Sequence, residues 1–419
     1  MTSGKAIFNS DTLKPQHVLA ERKTRRKRQR NNLLLVLPLL LFIFFSFVAP
    51  ISNMLHRSVY NPTLVELIPQ TIDGLADWSG TGTPDSKTLN HFAYELQQLA
   101  NSRQSGRLAA AINRAYPGAT SLINSTARKL RSAQPESIAL NGAALLIEAD
   151  SRWQQADLWQ AIDRLGAPYS VNNFLTALDL ERGADGEIRR RESARIYLEL
   201  YGKTLGMALV ITLLCLAMGY PLAYYLAQLP KRRAGVLLVL VLLPFWTSLL
   251  VRTTAWIALL QSNGVVNTLL QVTGLTSGPL DMLYTQFATI IAMTHILLPF
   301  MVLPLYSVMR SIDPAYMRAA LSLGSSPLKA FIRIYLPLSV PGITAGTLLV
   351  FIISVGYYIT PALVGGTDGQ MISNLIAFHM QQSNNWGLAA ALGSLLLALI
   401  LVLYWLYDHL AGVKHMTLG

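Results

Sequence analysis

The sequence predicts an all-α polytopic membrane protein: six transmembrane helices, with a large, mainly helical external domain between the first and the second. Three observations predict it. The 419 residues are 52% hydrophobic and only 13% charged, too apolar for an ordinary soluble domain. The apolar residues gather into six runs of about 20, the length needed to cross a hydrocarbon core. Lys and Arg are distributed unevenly around those runs, as the positive-inside rule requires.

The first run, residues 33–51, follows a basic cytoplasmic tail (1–32) that carries Arg22, Lys23, Arg25, Arg26, Lys27, Arg28 and Arg30. An apolar stretch this long, without a clear small-residue cleavage site, reads as an uncleaved signal anchor rather than a removed signal peptide. A basic tract beside a span is already explained by membrane topology, so nucleic acid is not expected as a partner. The N-terminus is placed in the cytoplasm.

The other runs cover Thr204–Gln228, Ala234–Leu260, Tyr284–Met309, Leu338–Thr360 and Trp386–Tyr407. Threading them from a cytoplasmic start puts both termini inside, with a C-terminal tail at 411–419. The short loops then expected inside carry Lys231, Arg232, Arg233, Arg310, Arg318, Lys329 and Arg333, whereas those expected outside carry neither Lys nor Arg. This asymmetry is an independent check on the threading.

Residues 52–203 differ from the rest: they hold 16 basic and 16 acidic residues, and form a periplasmic insert domain. Phe92, Leu96 and Leu99, like Leu158, Ile162 and Leu165, recur at helical spacing, and Gly166 supplies a stop. Ser79 to Pro84 reads as a loop. Trp153 and Trp159 read as core or interface aromatics before ligand-stacking ones. Arg189, Arg190 and Arg191 read as a solvated helix face balanced by Glu187, Glu192 and Glu199, with anionic lipid or a partner protein as the alternative. The single cysteine, Cys215, lies in a span, so disulfides play no part. No metal or catalytic constellation is present, and no phosphate-cradling loop gives the chain an ATP site.

Function is therefore expected from the 204–410 core, and above all from the loop at 311–337. Asp313 and Pro314 start a helix, Ala319 and Ala320 favour it, Gly324 permits a sharp reversal, and Ser325, Ser326 and Pro327 begin a second short helix. Two short helices around a glycine elbow form a compact knob; an interfacial helix lying on lipid is the alternative. Among span residues, Arg252 is the Lys or Arg set well inside and is a solute-pathway candidate, against snorkelling or capping of a neighbouring helix. Trp246, Trp256, Tyr220, Tyr224, Tyr357 and Tyr358 are candidate cation-π surfaces, although interfacial aromatic belts account for such residues too. Asp281 and Asp368 lie in external loops, where they either attract a cation or are simply solvated.

The spacing of Ala319, Ala320, Gly324, Ile334, Leu336 and Pro337 resembles the cytoplasmic "EAA" motif of binding-protein-dependent ABC importer permeases, with Arg318 standing where that family usually has Glu. The segments Gly219–Tyr224, Leu243–Trp256, Leu298–Tyr306 and Ile359–Gly366 are similar to those of spermidine/putrescine-type permeases, in the same order. The resemblance implies a permease subunit of the bacterial inner membrane taking up a small amine-containing solute, a polyamine or an amino-acid derivative, from a periplasmic solute-binding protein. It implies a second permease subunit, expected to be non-identical, and two ATP-binding cassette subunits that carry the ATP and Mg; this chain itself binds no cofactor. Arg318, Ala319, Ala320, Gly324, Ile334, Leu336 and Pro337 are the ATPase-coupling residues it implies, and the Arg318 exchange removes the family's acidic contact there. A membrane receptor would also begin with a tail, a span and an external domain, but would need an output domain. An ion-driven carrier would need acids inside its spans, and none of the six runs contains Asp or Glu.

Overall fold

The computed structural model describes residues 34–183, 187–191 and 195–411. The basic tail, the C-terminal tail beyond residue 411 and Glu192 lie outside these residues. The chain forms two compact units, divided after His56. The helix α1 (Leu34–Val59), all but its last three residues in the first unit, runs past the expected end at Ile51, widens into a π turn at Phe44–Val48, and exposes its apolar side chains along its length. A helix this apolar with no buried face matches a lipid surround.

The second unit begins with the insert. Its helices α2 (Thr63–Leu67), α3 (Pro69–Leu75), α4 (Ser86–Asn101), α5 (Ser105–Asn113), α6 (Ala119–Arg131), α7 (Pro135–Ala149) and α8 (Ala156–Gly166) close around one core. At its centre Phe92, Trp153 and Trp159 are wholly buried, with ring centroids 4.9 to 5.8 Å apart. Trp159 donates to the Trp153 carbonyl at 2.8 Å and Trp153 to Thr126 Oγ1 at 3.0 Å, so both indoles are structural. Buried Glu95 accepts from the Gln70 and Thr71 amides at 2.7 and 3.1 Å and from the Thr71 hydroxyl, and thereby caps α3. The insert closes at its base, where the Ser170 amide donates to the Val59 carbonyl at 2.8 Å and the Asn61 amide to Pro168 at 2.8 Å.

The triple-arginine stretch departs from expectation. Ile188–Arg190 is not a helix face but a strand, β2, paired antiparallel with β1 (Leu180–Arg182) directly after the short helix α9 (Asn172–Ala177). The reason is local: Asp179, with a left-handed φ of 54°, turns the chain and spends its carboxylate on the Tyr197 and Leu198 amides at 3.2 and 2.8 Å. That cap starts the next helix at Tyr197, seven residues before the expected Thr204.

Among the described residues, five helices are long and apolar enough to cross a membrane, and a bent pair makes a sixth candidate. Three of them, α10 (Tyr197–Gln228), α14 (Gln286–Ser311) and α16 (Pro327–Gly356), pack together around Met207, Ile211, Met293, Leu297, Met301 and Val350. A Cβ on Gly346 would lie 2.8 Å from Met301 Sδ and 3.2 Å from the Met301 carbonyl oxygen, so α16 and α14 approach closely there. The last helix, α19 (Trp386–Ala411), packs on α9 and α10 through Leu388, Ala391 and Leu392.

The third run is a bent pair, the sixth span candidate. The helices α11 (Lys231–Trp246) and α12 (Leu249–Leu260), with α13 (Val265–Val272) beyond, turn through 91° at Thr247 and Ser248. Pro244 lacks an amide for the helix ladder, and Thr247 takes over the Pro244 carbonyl through its own hydroxyl at 2.7 Å. The fifth run likewise stops early: α16 ends at Gly356, and α17 (Ile359–Val364) follows an extended Tyr357. Helix α18 (Ile372–Gln381) satisfies the exposed carbonyls, with Ser373 donating to Tyr357 at 2.6 Å and Asn374 to Tyr358 at 2.7 Å.

Replacing Glu95 with Ala leaves two amides of α3, that of Thr71 buried, without acceptors; thermal unfolding of the purified protein should show a loss of about 2 kcal/mol.

Candidate functional site

The 311–337 segment follows from its caps. Asp313 accepts from the Ala315 amide at 2.8 Å and Pro314 occupies the first position of α15 (Pro314–Ser322), as the sequence predicts. The helix ends in a Schellman motif: Ser325 donates to the Ala320 carbonyl and Gly324 to Leu321, both at 3.0 Å, with Gly324 at a φ of 87°. Nothing lies within 4 Å of a Cβ added to Gly324, so conformation alone, not space, demands glycine there. Ser326 and Pro327 then begin a helix that is not short. It is continuous with α16, which corrects the expectation of two separate short helices.

Continuity is preserved by a π turn at Phe331–Tyr335, where the Leu336 amide bonds to Phe331, five residues back. Pro337 explains it: the ring crowds the Arg333 carbonyl and brings no donor to it, and a wider turn relieves both. Ala320 and Ala330 are buried where the two limbs of the elbow meet. Leu323, 89% exposed, and Leu328, 68% exposed, project from the tip. Arg318, Ala319 and Pro337 are exposed; Ile334 and Leu336 are half-buried. The elbow thus offers an apolar tip ringed by the basic Arg318, Lys329 and Arg333, without an acidic side chain on α15.

Arg310, expected only as a topology signal, anchors the base of this elbow. Its guanidinium donates to the Ala227 and Leu229 carbonyls at 2.6 and 2.9 Å, capping the C-terminus of α10 from the last turn of α14. Tyr220 and Tyr224 lie at the same end of α10. Tyr224 meets Phe331 and Tyr335 edge-on, with centroids 5.4 and 5.0 Å away, and the Tyr220 hydroxyl pairs with Ser339 at 2.9 Å. The structure therefore joins these two tyrosines to the elbow and not to Arg252.

Arg252 belongs to a second cluster. It lies on α12 just past the bend, four residues before Trp256, and α12 packs on both α14 and α17. Trp256 Nε1 donates to His295 Nδ1 at 3.3 Å, which puts the proton of the neutral imidazole on Nε2. Arg252 Nε is buried without a hydrogen-bond partner among the described residues. The bend and the break after Gly356 bring Arg252, Trp256, His295 and Tyr357 together from three runs. Trp246, 73% exposed, and the exposed Tyr358 are not among them. The sequence reading missed His295, whose signal was its place inside an otherwise apolar run.

Asp368 proves to be tied down rather than simply solvated. It accepts from the Gln286 amide at the start of α14 and from Lys203 Nζ, at 3.2 and 3.3 Å, and both hold its carboxyl below the usual range. Asp281 is exposed.

The described residues thus form a helical core, with helices long and apolar enough to cross a membrane, that carries a capped, exposed elbow. The chain belongs to the family of binding-protein-dependent transport system inner membrane components, whose model matches residues 219–412, wholly beyond the insert. It is 38% identical over 222 residues to the spermidine/putrescine transport system permease protein PotB of Escherichia coli K12, covering 52% of this chain and 81% of the relative. It is 32% identical over 206 residues to the inner membrane ABC transporter permease protein YdcU of the same organism, covering 45% and 64%. Among solved structures, a bacterial ABC transporter involved in the import of alginate matches with a TM-score of 0.47 and 20% identity, over 60% of this chain and 86% of that one. Permease subunits of this kind carry no ATPase site; ATP is hydrolysed on a separate subunit.

Removing the Arg310 guanidinium leaves two helix-end carbonyls uncapped, so Arg310→Ala should cost about 2 kcal/mol, read as a lower melting temperature in detergent. Arg310→Lys, which keeps the charge and one donor, should lose less.

Proposed function

We propose that this chain is the permease subunit through which an ATP-driven importer takes up a small amine-containing solute, a polyamine or an amino-acid derivative. The observation that carries the reading is the elbow at Gly324: a rigid, capped protrusion with an apolar tip, spaced like the family's ATPase-contact segment. Arg318, Ala319, Ala320, Gly324, Ile334, Leu336 and Pro337 make or support the contact with the ATPase. With Arg318 in place of an acid, the contact rests on the shape and apolar tip of the elbow rather than on an ion pair formed by this chain.

The solute class draws its support from the 38% identity to a spermidine/putrescine permease. A solute-binding protein delivers the solute from the periplasm, and the insert stands on that side. Two permease subunits, this one and a non-identical partner, sit on two ATPases in the cytoplasmic membrane, with both termini of this chain inside. Binding of ATP draws the ATPases together, the elbows move with them, and the spans rock between outward- and inward-facing states. Arg252, Trp256 and Tyr357, now joined by His295, line the solute pathway, where a charge held inside a span is otherwise costly. Tyr220, Tyr224, Trp246 and Tyr358 fall outside that cluster and serve packing or the membrane interface.

Purification in mild detergent should bring down an ATPase subunit, and the complex in proteoliposomes should hydrolyse ATP faster with putrescine and binding protein than without. An absent ATPase subunit would sink the importer reading; stimulation by 5-aminovalerate but not by putrescine would move the solute to the amino acids. Gly324→Val strains a left-handed position and should cut uptake at least about tenfold while the subunit remains folded in the membrane. Normal uptake in that variant would remove the elbow from the transmission path.

A further inference from the structure

The elbow must pass its movement to the spans, and the contacts at its root show by what route. Between α15 and the bundle lies a compact aromatic group. Phe331 stacks on Tyr335 with centroids 5.7 Å apart and planes within 15°, and meets Tyr224 and Tyr220 edge-on at 5.4 and 6.2 Å. Tyr335, buried, stands perpendicular to Tyr224 at 5.0 Å. Helix α15 packs directly against the π turn, and the Tyr220 hydroxyl joins Ser339, one turn beyond it. Two of the rings come from α10 and two from the π turn of α16, the turn on which α15 packs.

Three properties suit these rings to relay force. Rings held face-to-edge resist sliding in two directions, unlike aliphatic side chains, which repack with little penalty. The π turn sets Phe331 and Tyr335 four residues apart on a widened helix, so both address the same side of α10. Arg310 caps α10 only one turn further on, so the end that receives the rings is itself fixed to α14. By contrast Ile332 and Arg333, between the two rings, are exposed and have no share in the contact.

We propose that Phe331, Tyr335, Tyr224 and Tyr220 form an aromatic gear that transmits ATP-driven movement of the elbow to α10, with Phe331 as the positioning residue at its centre. This rests on the reading of the elbow as the ATPase contact. In that role Phe331 touches neither solute nor nucleotide. Its worth lies in ring geometry, so a side chain of similar bulk without a ring does not replace it.

The test uses the whole complex in proteoliposomes, with putrescine and binding protein, and scores solute taken up per ATP hydrolysed. Phe331→Leu, which keeps an apolar side chain and avoids a cavity-driven failure to fold, should lower that ratio roughly tenfold. Phe331→Tyr should restore it to within about twofold. A second readout needs no solute. With spin labels on Ser322→Cys and Leu229→Cys in a Cys215→Ser background, the distance between elbow and α10 should be the same without nucleotide and with ATP-vanadate. In the Phe331→Leu variant it should shift or broaden on trapping. If Phe331→Leu keeps the wild-type ratio, or Phe331→Tyr falls as far as Phe331→Leu, or the labelled distance is the same in both variants and both states, the gear is refuted. A wild-type complex that lacks an ATPase subunit refutes instead the reading beneath it.

Discussion

Hydrocarbon offers no hydrogen bonds, and the organisation of this chain follows from the need to satisfy every backbone group that leaves a helix. The long helices do so by themselves. Where they stop, a named side chain intervenes: Asp179 at the start of α10, Arg310 at its end, Thr247 at the bend in the third run, Ser373 and Asn374 at the break after Gly356. Those breaks are what bring residues of different runs together. Straight spans would leave Arg252 and Tyr357 on separate, self-contained cylinders.

The same economy explains why the two ends of the core differ in texture. At the elbow end, contacts are aromatic and charge-assisted, and they tie α10, α14 and α16 into one block. At the opposite end they are small and close. Thr289 donates to the Gly369 carbonyl at 3.1 Å, the Tyr284 amide to Val364 at 2.8 Å, and Asp368 ties Lys203 to the start of α14. Arg252, His295 and Trp256 lie in helices that run between these two ends.

Much of this was legible in the sequence, and the reasons are physical. Hydropathy reports burial in lipid, so the apolar runs emerge with little error, and the Asp-Pro start and Gly stop of α15 obey local capping rules that tertiary context does not override. The elbow was legible for the same reason. What escaped was decided by contacts between distant residues. Pro244 alone does not announce a 91° bend, because Pro299 and Pro304 sit within α14, which continues unbroken. The strand at Ile188–Arg190 depends on Asp179 turning the chain nine residues earlier. His295 is one polar residue in an apolar run until the bend carries Trp256 to it, and Tyr220 and Tyr224 read as cation-π surfaces until the π turn carries Phe331 to them.

The hydrogen bond from Ser170 to Val59 and that from Asn61 to Pro168 have a consequence for how the insert can vary. The chain enters and leaves it at neighbouring points, so its length places no demand on the helices that follow, and the entropy of closing the loop grows only slowly with added residues. A domain attached in this way is a module on a short double stem. Its size can change without a change in any span, and the family match, which begins at residue 219, lies wholly outside it.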